Sequence, residues 1–182
     1  MADDFSRLVS LACHDLRTPL ATVQGFAKTM LRMDELDEEK RRRYLGLIDN
    51  SADELAHLLD LLSLAARIEG GRYDPVVREA DSLALAPAGA TGAGTIVRVD
   101  PEPVERALAA LVRAAERHGG VDVAAAVDGP RVSIEPVVEG AGPVVLGESA
   151  KDLGAAVAVL LLRALGAEVA LDGERLVVTL PV

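Results

Sequence analysis

The stretch FSRLVSLACHDLRTPLATVQGFAKTMLRM, Phe5 to Met33, places apolar residues at alternating steps of three and four. Val9, Leu16, Val23 and Met30 form one row; Phe5, Ala12, Pro19, Phe26 and Met33 form the other. This is a heptad seam with its a and d positions filled, and it predicts a long helix that packs against others of its kind. A break follows, where Asp37 reads as an N-cap with Glu38 and Glu39 in the first turn. A second seam then runs through Leu45, Ile48, Ala52, Leu55, Leu59, Leu62 and Ala66. Leu58, Leu61 and Ile68 widen it, and Gly70-Gly71 ends it. Two long helices on a short connection make an antiparallel hairpin. A lone hairpin leaves much apolar surface wet, and pairing two of them into a four-helix bundle covers it, so a homodimer is expected.

After Asp74-Pro75 the period changes. Val76 to Leu85 and Thr95 to Val99 read as strands, separated by a short Ala/Gly-rich stretch, Ala86 to Gly94. Asp100-Pro101 is a cap with proline at the first helical position, opening a helix to about residue 117. Val121 to Val127 and Arg131 to Val138 flank Asp128-Gly129-Pro130 as a hairpin, and Glu139 to Ser149 reads as a loop. Ala150 to Leu165 is an apolar helix stopped by Gly166. A last hairpin, Glu168 to Leu171 and Leu176 to Leu180, turns at Asp172-Gly173. The expected class is α+β. A helical hairpin domain, residues 1–72, precedes a small α/β sandwich, residues 73–182, with helices on one face of a sheet.

The 182 residues suffice for one ordinary domain or two small ones. Half of them are apolar and only 2% aromatic, so the core is built from Leu, Val and Ala. A formal charge of −10 argues against a phosphate-backbone partner, which needs clustered Lys and Arg. The one cysteine, Cys13, rules out an internal disulfide and fits a reducing compartment. We find no signal-peptide pattern, and the longest apolar run, Leu153 to Leu162, is short of a membrane span. A cytoplasmic protein without a membrane or nucleic-acid partner is therefore expected.

His14 falls at heptad position f, the most outward one, with Thr18 one turn along near the same face. A histidine there is not packing. Its ordinary pKa of about 6.5 leaves much of it neutral and nucleophilic near pH 7. Asp15 is adjacent and can hold the proton on one ring nitrogen, leaving the other free to attack. Pro19 removes a backbone hydrogen bond and crowds the preceding turn, as a tolerated kink or a deliberate one. Cys13, at position e, reads as a small packing residue. His57 reads as a flank or partner-facing residue, and Glu116, Arg117 and His118 as a solvated helix end.

His14-Asp15-Leu16-Arg17-Thr18-Pro19-Leu20 resembles the H-box of sensor histidine kinases. The likeness extends through the second helix, with Leu58-Leu59-Asp60-Leu61-Leu62-Ser63 and Arg67-Ile68-Glu69-Gly70-Gly71, and covers about the first seventy residues. It implies a dimerisation and phosphotransfer domain in which His14 is the phosphoacceptor and Asp15 the acid assisting transfer. Thr18 would place a water for dephosphorylating the partner, and Arg17 and Pro19 would play supporting roles. A response regulator receiver would dock near His14 on Leu11, Leu55, Leu58 and Leu62.

The second half is similar to the family's ATP-binding domain in element order but departs from its motifs. Ala114 stands where the asparagine box has its magnesium ligand. Val138, before Glu139-Gly140-Ala141-Gly142, stands where an aspartate would bind adenine, so Gly140 and Gly142 read as turn glycines. Asp152-Leu153-Gly154 lacks the first glycine of the second box, and the lid has shrunk to Pro143–Ser149. The resemblance is thus to dimeric histidine phosphotransferases descended from histidine kinases. Such a protein would bind no cofactor of its own. Phosphate would arrive from the aspartyl phosphate of one receiver, itself loaded by an upstream hybrid kinase, and leave to another, with Mg2+ supplied by the receiver. Two alternatives stand beside this. An active kinase with a divergent nucleotide site requires ATP binding. A non-enzymatic dimer that sequesters a regulator survives His14→Ala.

Overall fold

The structure, a computed structural model, describes residues 2–33, 36–149 and 151–182. Helix α1 spans Ala2–Arg32 and helix α2 spans Glu38–Glu69, the expected antiparallel hairpin. Helix α1 runs through Pro19 without interruption, although that residue has no N–H to donate. Asp37 caps α2 as expected: its Oδ1 accepts the Lys40 N–H at 2.8 Å. Phe26 and Tyr44 stack across the hairpin with ring centroids 5.1 Å apart.

The remainder is a five-stranded sheet and a two-stranded one beside two packed helices. Strand β1, Arg78–Asp81, pairs antiparallel with β3, Ile96–Val99. Between them lie a helical turn α3, Ser82–Leu85, and strand β2, Thr91–Gly94. Strand β2 runs parallel to β4, Ala124–Gly129, at one edge of the larger sheet. The sheet continues antiparallel through β5, Arg131–Glu135, and β7, Arg175–Thr179, to β6, Glu168–Asp172. Helix α4, Pro101–Gly119, and helix α6, Leu153–Ala164, pack beside it, and a short helix α5, Gly142–Val145, precedes α6. Val127, Val132, Ile134, Leu176 and Val178 face the helices and share their core with Leu108, Leu111, Ala158 and Leu162.

Four local expectations need correction. The strand expected over Val76–Leu85 stops at Asp81, whose carboxylate caps α3 by accepting the Leu83 N–H at 2.9 Å. The Ala/Gly stretch hides β2. Gly92 has φ +116° and faces the Val127 carbonyl, and Gly94 is hemmed in by Asp81 and Leu83, so neither position has room for a Cβ. Asp100 precedes α4 but makes no cap bond; its Oδ2 accepts the Val76 N–H instead. The apolar helix begins at Leu153 rather than near 150, and Ala150 lies outside the described residues.

Helix α6 belongs to two cores. Ala155, Ala158, Val159 and Leu162 enter the α/β core. Leu153 and Val157, with Ala156 and Leu160, enter a second cluster made with Leu8, Leu11 and Ala12 of α1 and Leu58 and Ala65 of α2. A helix apolar on all sides is buried on all sides, and here it is clasped between the hairpin and the sheet. Part of the hairpin surface expected to lie against a second hairpin is thus covered by the chain's own α6. Leu20, Leu31, Met33, Leu45 and Leu59 remain exposed.

Candidate functional site

Helix α1 holds His14 on its outer side with the side chain 78% exposed. Asp15, 22% exposed, turns its Oδ1 to the ring Nδ1 at 3.0 Å. A carboxylate only accepts, so Nδ1 is the donor, and in the neutral ring that tautomer puts the lone pair on Nε2. That arrangement bonds one ring nitrogen of an exposed histidine to the neighbouring acid.

The other oxygen of Asp15 reaches the second part of the chain. Oδ2 accepts the N–H of Leu153, the first residue of α6, at 3.3 Å. Asp152 caps the same helix end, its Oδ1 accepting the Ala155 N–H at 2.9 Å. Asp152 Oδ2 also meets Arg117 Nη1 at 3.3 Å and His118 Nε2 at 3.2 Å, both at the end of α4. His118 is thus largely enclosed, whereas the sequence suggested a solvated helix end. Sequence reading missed Leu153, whose contribution is a backbone N–H common to every residue except proline.

The expected site residues divide. His14, Asp15 and Thr18 share one cleft of about 930 Å3 between the hairpin and helices α4 and α6. His57 lines the same cleft, as do Arg67, Arg106, Arg113, Arg117 and Lys151. Arg17 is exposed beside it, and Pro19 is buried within the hairpin. Leu55 and Leu62 are half-buried. Leu11 and Leu58, expected to receive a partner, are only 3% and 9% exposed because Leu153 and Val157 of α6 cover them. Cys13 is exposed rather than packed.

The glycine-bearing segment is filled rather than open. Ala114 lies in the α/β core. Val138 packs against the end of α4 at Gly119, and its carbonyl accepts the N–H groups of Ala141 and Gly142. Gly142 is the buried first residue of α5, where a Cβ would meet Leu171 Cδ2 at 3.2 Å. Gly140 has open space around its Cα. Among the described residues no group of three or more His, Cys, Asp or Glu is arranged to hold a metal ion, and no helix is long and apolar enough to cross a membrane.

Residues 6–71 match the family model of the His Kinase A (phospho-acceptor) domain. An uncharacterized sensor-like histidine kinase of Rhizobium meliloti (strain 1021) is 30% identical over 40% of this chain and 14% of its own length. The methanogenesis regulatory histidine kinase FilI of Methanothrix harundinacea (strain 6Ac) is 39% identical over 44% of this chain and 10% of its own. The chain thus spans a small fraction of the curated relatives it matches. Among solved structures, histidine kinase AdeS of Acinetobacter baumannii superposes with a TM-score of 0.64 at 18% identity, over 92% of this chain and 97% of that one. Full-length ShkA, solved with AMPPNP, superposes at 0.51 and 20% identity, over 97% of this chain and 45% of that one. These likenesses show that the fold of both parts is that of histidine kinases.

Proposed function

Residues 6–71 belong to the histidine kinase phospho-acceptor family of two-component signalling, and from that premise we propose that this chain is a phosphorelay carrier working through His14. The Nε2 lone pair attacks the phosphorus of a receiver's aspartyl phosphate. The N–P bond forms as the P–O bond breaks, and the aspartate leaves as a carboxylate with the electron pair. The Nδ1 proton stays shared with Asp15. Reversal on a second receiver completes the relay. Thr18, on the same cleft, is the position for a water when the phosphoryl group is hydrolysed instead. Mg2+ belongs to the receiver's acidic pocket. The working unit is a homodimer, joined through the apolar seam that α6 leaves open.

The observation that carries this reading is the contrast between the two parts. The exposed His14 with Asp15 on its Nδ1 is fully assembled. Two features at the nucleotide end of the fold argue against ATP. Ala114 offers a buried methyl group where a hard cation needs oxygen. At the α6 N-terminus the Leu153 and Ala155 N–H groups, which would face a phosphate, are already bonded to the carboxylates of Asp15 and Asp152. One observation favours the kinase reading: the cations Arg106, Arg113, Arg117 and Lys151 line the cleft that His14 shares.

A phosphohistidine assay on the full chain decides between them. Mg-ATP as sole donor is expected to leave the protein unlabelled, and a phosphorylated receiver is expected to label it. His14→Gln abolishes the label. Label from ATP that depends on His14 would overturn the relay reading in favour of the kinase.

A further inference from the structure

Side chains adjacent in a helix do not face each other, so a His-Asp pair at i and i+1 has no reason to stay bonded on a free helix surface. Something must hold Asp15 in place. On α1, Leu8, Leu11, Ala12 and Asp15 follow the spacing of one helix face, and the three apolar members of that face are covered by α6. Leu153 and Val157 of α6 press on it, each about 1% exposed. The N-terminus of α6 arrives against the Asp15 carboxylate, where the positive end of the helix dipole favours a negative charge. Two turns earlier Arg7 grips the segment leading into α6. Its Nη2 donates to the Gly147 carbonyl at 3.0 Å and its Nη1 to that of Glu148 at 3.3 Å.

We propose that the backbone N–H of Leu153 positions His14: by holding Asp15 Oδ2 it aims Oδ1 at the ring, keeps the proton on Nδ1, and leaves Nε2 as the nucleophile. The inference rests on reading His14 as the phosphoryl acceptor. The second part of the chain then serves the reaction without nucleotide, through the helix end that the fold would otherwise turn to phosphate. Reactivity at His14 is coupled to docking of α6, because undocking releases Asp15 and lets the ring rotate. A receiver that needs Leu11 or Leu58 has to displace α6, and in doing so relaxes the group it is to react with.

Proline at position 153 deletes this one donor. It is the first residue of α6, where proline suits a helix, and Asp152 before it is already extended with φ −150° and ψ 107°. Leu153→Ala loses the side chain and keeps the N–H. The two variants therefore lack the same apolar contact and differ in the donor. The readouts are the His14 ring tautomer, from long-range 15N NMR of the full chain at alkaline pH, and the rate of labelling by phosphoramidate. In that labelling Nε2 forms the bond to phosphorus as the donor's P–N bond breaks and ammonia leaves with the electron pair. The expected result is an Nδ1–H ring in Leu153→Ala and a mixed tautomer in Leu153→Pro, with labelling about tenfold slower in the second. Equal tautomers and equal rates in the two variants would overturn the proposal. Val157→Glu is a second route. It pushes α6 off the hairpin without touching His14, Asp15 or Leu153, and a tautomer unchanged by that undocking would also overturn it. If phosphoramidate labels neither protein, the acceptor reading fails, and the tautomers still decide the positioning.

Discussion

Tyr73 shows how one group's surroundings set its contribution. Its hydroxyl is enclosed at the end of the cleft and has no hydrogen-bond partner among the described residues. Burial, and then the charge of Asp100, push its pKa above the ordinary 10.0, while Arg67 pulls the other way. A raised folded-state pKa contributes stability that is complete below the unfolded value and is lost as pH rises through the folded one. Tyr73→Phe removes an unsatisfied polar atom and keeps the ring, so it is expected to be neutral or stabilising by up to about 1 kcal/mol. The variant also loses that part of the parent's alkaline destabilisation. Thermal melts of both proteins from neutral pH to above 10.0 check this. His14 and Asp15 are the contrasting case. The exposure of His14 and the adjacency of Asp15 were readable from heptad position and residue type. Which oxygen of Asp15 meets the ring, and what holds it there, was not.

At the scale of elements, α2 was legible because its signals are local. The seam has a helical period, Asp37 precedes two acids, and two glycines end it. The Lys40 N–H, and then its ammonium group, hold the Asp37 carboxyl below the ordinary 3.8. A lowered pKa contributes stability that is present above the unfolded value and lost as pH falls through the folded one. Asp37→Ala is therefore expected to melt lower than the parent at neutral pH, with the difference closing in acid, as followed by circular dichroism. Elements built on glycine were misread for the opposite reason. In Thr91–Gly94 nothing alternates between apolar and polar, and the strand exists because its glycines let the backbone of β4 come close. The helical turn at Ser82 was lost in an apparent strand. Its buried hydroxyl donates to the Gly129 carbonyl at 2.6 Å and accepts the Thr95 N–H at 2.9 Å, contacts 47 and 13 residues away in sequence.

At the scale of the whole molecule, the question is how the apolar surface of the hairpin is divided. Helix α6 takes the face of Leu8, Leu11, Leu58 and Ala65. Leu20, Leu31, Met33, Leu45 and Leu59 stay open, and exposed apolar side chains on the hairpin are where a second hairpin is expected to seat. The double variant Leu45→Glu/Leu59→Glu is expected to sediment as a monomer under conditions where the parent is a dimer. A parent that is itself monomeric at the same concentration would show that α6 alone suffices. Helical content is expected to be unchanged, since both positions face solvent within one chain.

By itself the sequence determined the two seams, the capped and terminated helices, the outward histidine with its neighbouring acid, and the mixed second half. Each depends on spacing and residue type within a few turns of chain. Tertiary structure alone decided that α6 serves two cores, that Leu11 and Leu58 lie beneath it, and that Asp15 is held by the Leu153 amide 138 residues away. The physical reason is the same for all three. An apolar helix records that it will be buried but not against what, and a backbone N–H has no identity in a sequence until the fold brings an acceptor to it.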